Sequence, residues 1–163
     1  MVCVHLDGFS GVGKTSLCRR LATRFRGEVE CVDVDEHGWR PPPTSPRVVL
    51  YAGMQTPPGS LRMDHRVVLR PDDVEETYRR FLLRNLENVV RHADAIRDTI
   101  DKTEPASRIA DGVLGLRANF ALVVRLPWYR AWVREHSRAA TARGYKAMSA
   151  GRFEAFVANL VRR

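Results

Sequence analysis

The sequence is most constrained near its amino end, where the segment GFSGVGKTS (Gly8–Ser16) directly follows the apolar run VCVHLD. The apolar run is typical of a buried strand, and apolar residues recur at helical spacing after Lys14. Glycine lets the backbone turn tightly and direct successive N–H groups inward, and the start of a helix adds its positive end. The segment therefore predicts a loop that binds phosphate. The alternative is a glycine-rich turn that binds nothing.

The spacing of this segment matches the pattern G-x-x-x-x-G-K-[ST] through Gly8, Gly13, Lys14 and Thr15. In that pattern the lysine reaches the β and γ phosphates of a nucleotide, and the hydroxyl ligates magnesium. We therefore predict ATP and Mg²⁺ as ligands. The predicted phosphate-binding residues are Gly8, Ser10, Gly11, Val12, Gly13, Lys14, Thr15 and Ser16.

Length and composition predict one soluble domain spanning residues 1–163. The chain opens directly into its first strand without a signal-like segment, and no apolar run is long enough to span a membrane, so we expect a cytoplasmic protein. Its three cysteines have no metal-ligand spacing and are expected to be reduced. A net charge of +8, mostly from arginine, favours anionic partners, and nucleic acid is among them.

The rest of the chain alternates apolar strand patterns with helical ones. The runs VECVDVDE, PRVVLYAGM and DHRVVL predict three more strands that are buried on both faces. Helices are expected after the loop as far as Gly27, from Asp72 over about 30 residues with a break near His92, from Trp128 to Gly144, and around Phe153–Leu160. NFALVVRL fits either a fifth strand or a short helix. The fold class is therefore α/β, with a mostly parallel sheet of four to five strands flanked by helices.

Two carboxylates, Asp33 and Asp35, close the second predicted strand. Ligands gather at the carboxyl ends of parallel strands, and residues two apart share one face of an extended chain. We therefore expect Asp33 to ligate magnesium, together with Thr15, and Asp35 to accept the proton of an attacking hydroxyl. The alternative is that both residues only cap the following turn.

Two arginine clusters could neutralise charge on a transferred phosphoryl group. The helix from Asp72 carries Arg79, Arg80 and Arg84, of which Arg80 and Arg84 share a face and are our catalytic candidates. Glu76 and Arg80 also form an ordinary i,i+4 surface pair. The second cluster lies near the carboxyl end and could be a lid, a nucleic-acid contact surface or a plain basic exterior. Its members are Arg130, Arg134, Arg138, Arg143 and Lys146.

Over about its first 90 residues the chain resembles the small phosphate-loop kinases, which include adenylate, shikimate, gluconate and uridine kinases. DGFSGVGKTSL followed by CVDVDE carries the resemblance. It implies a three-layer P-loop NTPase fold, an ATP site at Gly8–Ser16, an acceptor site beyond the second strand and a lid that bears arginines. It also implies metal and base roles for Asp33 and Asp35. The acceptor stays open, because no Asp-Arg-Tyr or Asp-Arg-His signature is present in a matching context.

These observations predict a kinase that transfers the γ phosphate of ATP to a small acceptor, with nucleoside-like and nucleotide-like molecules among the candidates. One alternative is a polynucleotide 5′-hydroxyl kinase, which the basic charge permits. Another is a nucleotide-dependent switch protein, although the guanine-reading N-K-x-D pattern is absent. A noncatalytic nucleic-acid module would need stacking aromatics, and the candidates read more simply as core residues: Trp128, Tyr129, Trp132 and Tyr145.

Overall fold

The computed structural model describes residues 1–9, 11–101 and 126–163. The predicted phosphate ligand Ser10 and most of the NFALVVRL segment lie outside these residues. The described elements, in chain order, are β1 (Val2–Asp7), α1 (Lys14–Arg24), β2 (Val29–Asp33), α2 (Val34–His37), β3 (Val48–Ala52), β4 (His65–Leu69), α3 (Val74–Asp101), α4 (Leu126–Ala142), β5 (Lys146–Met148) and α5 (Ala150–Arg162).

The five strands form one sheet in the order β2-β3-β1-β4-β5, and every neighbouring pair is parallel. The predicted α/β class with a parallel sheet is thereby confirmed. The sequence patterns did not indicate β5, because its three residues, KAM, are too few to show an apolar run. The central strand β1 lies between β3 and β4, so the loop that follows β1 starts at the middle of the sheet edge.

Helices and loops cover both faces of this sheet. Val4 and Leu6 of β1 face α1 and α5, where they pack with Leu21, Phe153 and neighbouring apolar residues. Complete burial of a side chain such as Leu6 or Leu21 contributes about 1.5–3 kcal/mol. The opposite face packs against loop residues around Trp39 and, through a cluster at β4, against α4. The result is a three-layer arrangement.

The chain forms two compact units. The first unit comprises Met1–Val74 and Arg130–Arg163 and contains the whole sheet. The second unit is Glu75–Tyr129, in which the ring of Tyr129 lies 4.9 Å from that of Phe81 and 5.2 Å from that of Tyr78. The expectation of one domain over residues 1–163 stays a prediction.

Several helix boundaries differ from those expected. The helix α1 ends at Arg24, and Gly27 follows in a turn with a φ of 82°. The helix α3 begins at Val74 and runs for 28 residues without the break expected near His92. The helix α4 ends at Ala142, just before Gly144 with its φ of 85°, as expected. None of the described helices combines the length and apolar character needed to cross a membrane.

Candidate phosphate-binding site

The loop between β1 and α1 has the backbone that its glycines predict. The φ angles of Gly8, Gly11 and Gly13 are 152°, 91° and 87°. Gly8 is also crowded, because a Cβ added there would lie 3.0 Å from the carbonyl oxygen of Leu69 and 3.0 Å from Cγ2 of Val12. Only glycine combines this conformation with so close an approach to β4.

The amino end of α1 has no side-chain cap and no acidic residue of its own in its first turn. Its N-cap residue is Gly13. The first N–H groups of a helix lack intrahelical partners and carry a partial positive charge. An anion in the loop would meet both needs.

The Lys14 side chain folds back over the loop. Only 8% of this residue is exposed, and its Nζ donates a hydrogen bond of 2.5 Å to the carbonyl oxygen of Gly8. A buried ammonium group is costly unless it is well solvated by polar atoms. Its placement across the loop puts a positive charge where a phosphate would sit. Val12 lies in the loop before α1, and Thr15 and Ser16 lie in the first turn of that helix.

Thr15 and Asp33 are brought together because the amino end of α1 packs beside the carboxyl end of β2. The Thr15 hydroxyl donates a hydrogen bond of 3.0 Å to Oδ2 of Asp33. These two oxygen ligands are of the kind that Mg²⁺ prefers. Among the described residues no group of three His, Cys, Asp or Glu side chains converges on a metal position. A magnesium ion here would therefore use few protein ligands and complete its shell with phosphate oxygens and water.

Asp35 does not share an extended face with Asp33. The strand β2 ends at Asp33, whose Oδ1 accepts a hydrogen bond from Glu36 N and thereby caps the short helix α2. Asp35 lies within α2, and its Oδ1 accepts a hydrogen bond of 3.1 Å from Met54 N. The expected pairing on one strand face is therefore wrong, since the chain turns into a helix between them. Asp33 contacts Thr15 of α1, and Asp35 contacts Met54 in the segment after β3.

The arginines predicted to act in catalysis lie on α3 in the second unit. Arg80 is exposed, and its Nε donates to Oε1 of Glu76 at 3.1 Å, which is the surface pair expected as the alternative. Arg84 is also exposed. Arg143 belongs to the first unit and contacts the site directly, with Nη2 3.6 Å from Oδ2 of Asp7.

Asp7 is a site residue that the sequence patterns missed. It is buried at the carboxyl end of β1, and its Oδ1 accepts hydrogen bonds from Gly8 N at 2.6 Å and from His136 Nε2 at 2.9 Å. Burial alone would raise the pKa of Asp7, but the hydrogen bond and charge of His136, with the Gly8 N–H, lower it overall. The available signal was an acidic residue that ends a buried strand directly before the loop.

A second buried polar group lies deeper on the same strand. His5 is completely buried, with Nδ1 2.8 Å from the Tyr145 hydroxyl and Nε2 3.2 Å from the Gly53 carbonyl oxygen. Because a carbonyl can only accept, Nε2 carries the proton and Nδ1 accepts from Tyr145. Burial lowers the pKa of His5 to about 4, so the ring is neutral near pH 7. His5 and Asp7 thus link β1 to the chain near its carboxyl end.

The geometry gathers a glycine loop, a lysine, a hydroxyl and carboxylates at the carboxyl edge of a parallel sheet. That is the edge where doubly wound sheets bind ligands. Comparison with protein-family models, with curated proteins and with solved structures found no match for this chain.

Proposed function

We propose that this chain is a kinase with a P-loop NTPase fold, which transfers the γ phosphate of ATP to a small-molecule acceptor with the help of magnesium. The observation that carries the proposal is the contact of 3.0 Å between the Thr15 hydroxyl and the Asp33 carboxylate, beside a loop closed by Lys14. A turn that bound nothing would not need a nearly buried lysine or an uncapped helix start. A nucleotide triphosphate explains both features, because its phosphates are anionic and accept many hydrogen bonds.

The residues present fit a magnesium ion and a triphosphate. Thr15 and Asp33 would hold the ion, which when bound neutralises negative charge on the phosphates. The loop N–H groups and Lys14 would hold the phosphates themselves. Lys14 can do so by exchanging its hydrogen bond with the Gly8 carbonyl for one with a phosphate oxygen.

In the proposed reaction the acceptor's hydroxyl oxygen forms a bond to the γ phosphorus. The bond from that phosphorus to the bridging oxygen breaks, and ADP leaves with the electron pair. The hydroxyl proton passes to Asp35. This role is supported by the Met54 N–H, which fixes Oδ1 of Asp35, while Oδ2 makes no hydrogen bond with any described residue. A fixed carboxylate with one oxygen available is suited to accept a proton.

The test is ATP turnover by the full chain with magnesium and a panel of hydroxyl-bearing acceptors, followed by ADP release and ³¹P NMR of the products. Wild type should form a phosphorylated acceptor and ADP in equal amounts. Lys14→Met should abolish this product, because it removes the charge that positions the phosphates. The matched control is Lys146→Met, which removes an exposed lysine at the start of β5. Equal turnover by the two variants, or ADP release that no acceptor increases, would overturn the proposal.

A further inference from the structure

A cleft opens between the segment that leaves β4 and one side of α4. The first wall consists of Arg70, Pro71 and Val74, and the second consists of α4 residues between Arg130 and Arg138. The volume of this arginine cleft is about 330 Å³, at the lower end of the range for small-molecule sites. That volume accommodates one compact molecule.

The charge of the arginine cleft is of one sign. None of the described lining residues is acidic. Four guanidinium groups line the cleft, those of Arg70, Arg130, Arg134 and Arg138. The three arginines of α4 are spaced four apart, and like charges at that spacing destabilise a helix. Elsewhere arginines pair with carboxylates, as Arg19 does with Glu36 at 3.2 Å. Within the described part of the chain, Arg134 and Arg138 form no such pair. A bound anion would relieve their repulsion.

Arg70 is held in place for such a ligand. Its Nε donates a hydrogen bond of 3.0 Å to the Ser137 hydroxyl, and its backbone N donates to the Met148 carbonyl oxygen at 2.9 Å. The side-chain bond uses one of the five guanidinium donors. The hydrogen bond to Ser137 restricts the rotation of the Arg70 side chain. Binding an oxyanion through the remaining donors therefore costs less conformational entropy.

Apolar residues complete the cleft. Pro71 and Val74 contribute to one wall, and the buried Val133 contributes to the other. Guanidinium groups match the geometry of phosphate and carboxylate oxygens, whereas the apolar surface suits carbon atoms. The lining therefore favours an organic molecule with an anionic group over a free inorganic ion.

The arginine cleft and the phosphate loop meet different faces of α4. The ring of Trp132 lies 5.3 Å from that of Phe9 in the loop, and His136 bonds to Asp7. The cleft residues Arg130, Arg134 and Arg138 are spaced four apart and share another face of the helix, roughly opposite Trp132 and His136. The cleft is therefore a site separate from the phosphate loop.

We propose that the arginine cleft binds a small organic molecule through a phosphate or carboxylate group, at a site separate from the phosphate loop.

The test measures binding of small anions to the full chain saturated with magnesium and AMP-PNP, by calorimetry at constant ionic strength. The probes are ribose 5-phosphate and glycerol 3-phosphate, malate and citrate, and ribose as the neutral reference. The variant Arg134→Gln/Arg138→Gln removes two charges from the cleft. The matched control, Arg26→Gln/Arg162→Gln, removes two charges at positions elsewhere on the chain.

At least one anionic probe should bind wild type and the control alike, and should bind the cleft variant about tenfold more weakly or worse. Ribose should not bind. Preference for phosphates or for carboxylates identifies the group recognised. The inference is overturned if no anion binds at millimolar concentration, or if the cleft variant matches the control. The inference is also overturned if single-stranded oligothymidylate binds more tightly than every small anion and its binding requires the same arginines.

Failure of the kinase proposal has a different signature. AMP-PNP would then fail to bind wild type, and Lys14→Met would change nothing. Anion titrations in the Lys14→Met background, without nucleotide, keep the two outcomes apart. Binding that survives Lys14→Met but is lost in the cleft variant supports the arginine cleft, whatever the loop binds. Binding that is lost with Lys14→Met assigns the anion to the loop and overturns the cleft.

Discussion

His136 Nε2 lies 2.9 Å from Asp7 Oδ1, so a hydrogen-bonded pair joins α4 to the residue that immediately precedes the phosphate loop. Arg143 adds a positive group 3.6 Å from Oδ2 of the same carboxylate. Asp7 in turn holds the Gly8 N–H. The backbone entering the loop is therefore fixed by side chains that come from far along the chain.

We expect Asp7→Asn to lower the free energy of unfolding by about 1–3 kcal/mol, because the amide offers one acceptor oxygen and no charge to its partners. Urea denaturation measures this loss, with Asp72→Asn as the exposed control. Since the folded pKa of Asp7 is lowered, its stabilisation is present above the unfolded pKa of about 4 and disappears as pH falls through the lower folded value. A difference between wild type and variant that grows below pH 4 would contradict this assignment.

Gly8→Ala should destabilise the fold by about 1–3 kcal/mol, because alanine is strained at a φ of 152° and its Cβ would press against Leu69 and Val12. Gly59→Ala is the matched control, since a Cβ there meets nothing within 4 Å. Thermal unfolding of the two variants checks the prediction. Equal melting temperatures would mean that the loop can relax around the added methyl group.

Local patterns predicted the loop and most of the sheet. The φ angles at Gly8 and Gly13 follow from glycine spacing, and four strands follow from runs of apolar residues. The position of Asp35 was missed because the Asp33 carboxylate caps α2 and turns the chain. Strand patterns alone do not show whether a carboxylate continues a strand or starts a helix.

The Asp7 and His136 pair could not be predicted in the same way. These residues are 129 positions apart, and nothing local links them. The arginine cleft has the same origin, since Arg70 and the α4 arginines meet only after β4 and α4 are packed. The spacing of the α4 arginines marked them as a basic cluster, but no local pattern indicated that Arg70 faces them.

Thr15→Val should weaken magnesium-dependent nucleotide binding by about tenfold to a hundredfold, because it removes the hydroxyl next to Asp33 while keeping the side-chain shape. Thr15→Ser should retain most of the affinity. Calorimetry with AMP-PNP, with and without Mg²⁺, measures both. Thr23→Val serves as the control, since that exposed hydroxyl only bonds back to Arg19 O within α1. If Thr15→Val and Thr23→Val bind alike, the hydroxyl is not a metal ligand.

Asp35→Asn should reduce kcat by roughly 10²- to 10⁴-fold, as expected for loss of a general base. The amide oxygen can still accept from Met54 N, so folding and AMP-PNP binding should change little. Glu36→Gln, at the adjacent exposed position, is the control. If Asp33→Asn alone abolishes turnover and Asp35→Asn does not, the roles of the two carboxylates are exchanged.

His5 should make the fold sensitive to mild acid. Its pKa is about 4 in the folded chain and about 6.5 when unfolded, so between these values the unfolded state binds more protons. Stability is therefore lost as pH falls from 6.5 to 4, with a slope of at most about 1.4 kcal/mol per pH unit and a total of about 3 kcal/mol. Protonation would also place a second donor on Nδ1, against a Tyr145 hydroxyl that now donates to it.

Urea denaturation at several pH values should show this slope in wild type and a smaller one in His5→Gln, which keeps polar atoms but does not titrate. The other histidines remain in both proteins, so the difference isolates His5. Parallel pH profiles would mean that the buried imidazole is protonated without cost.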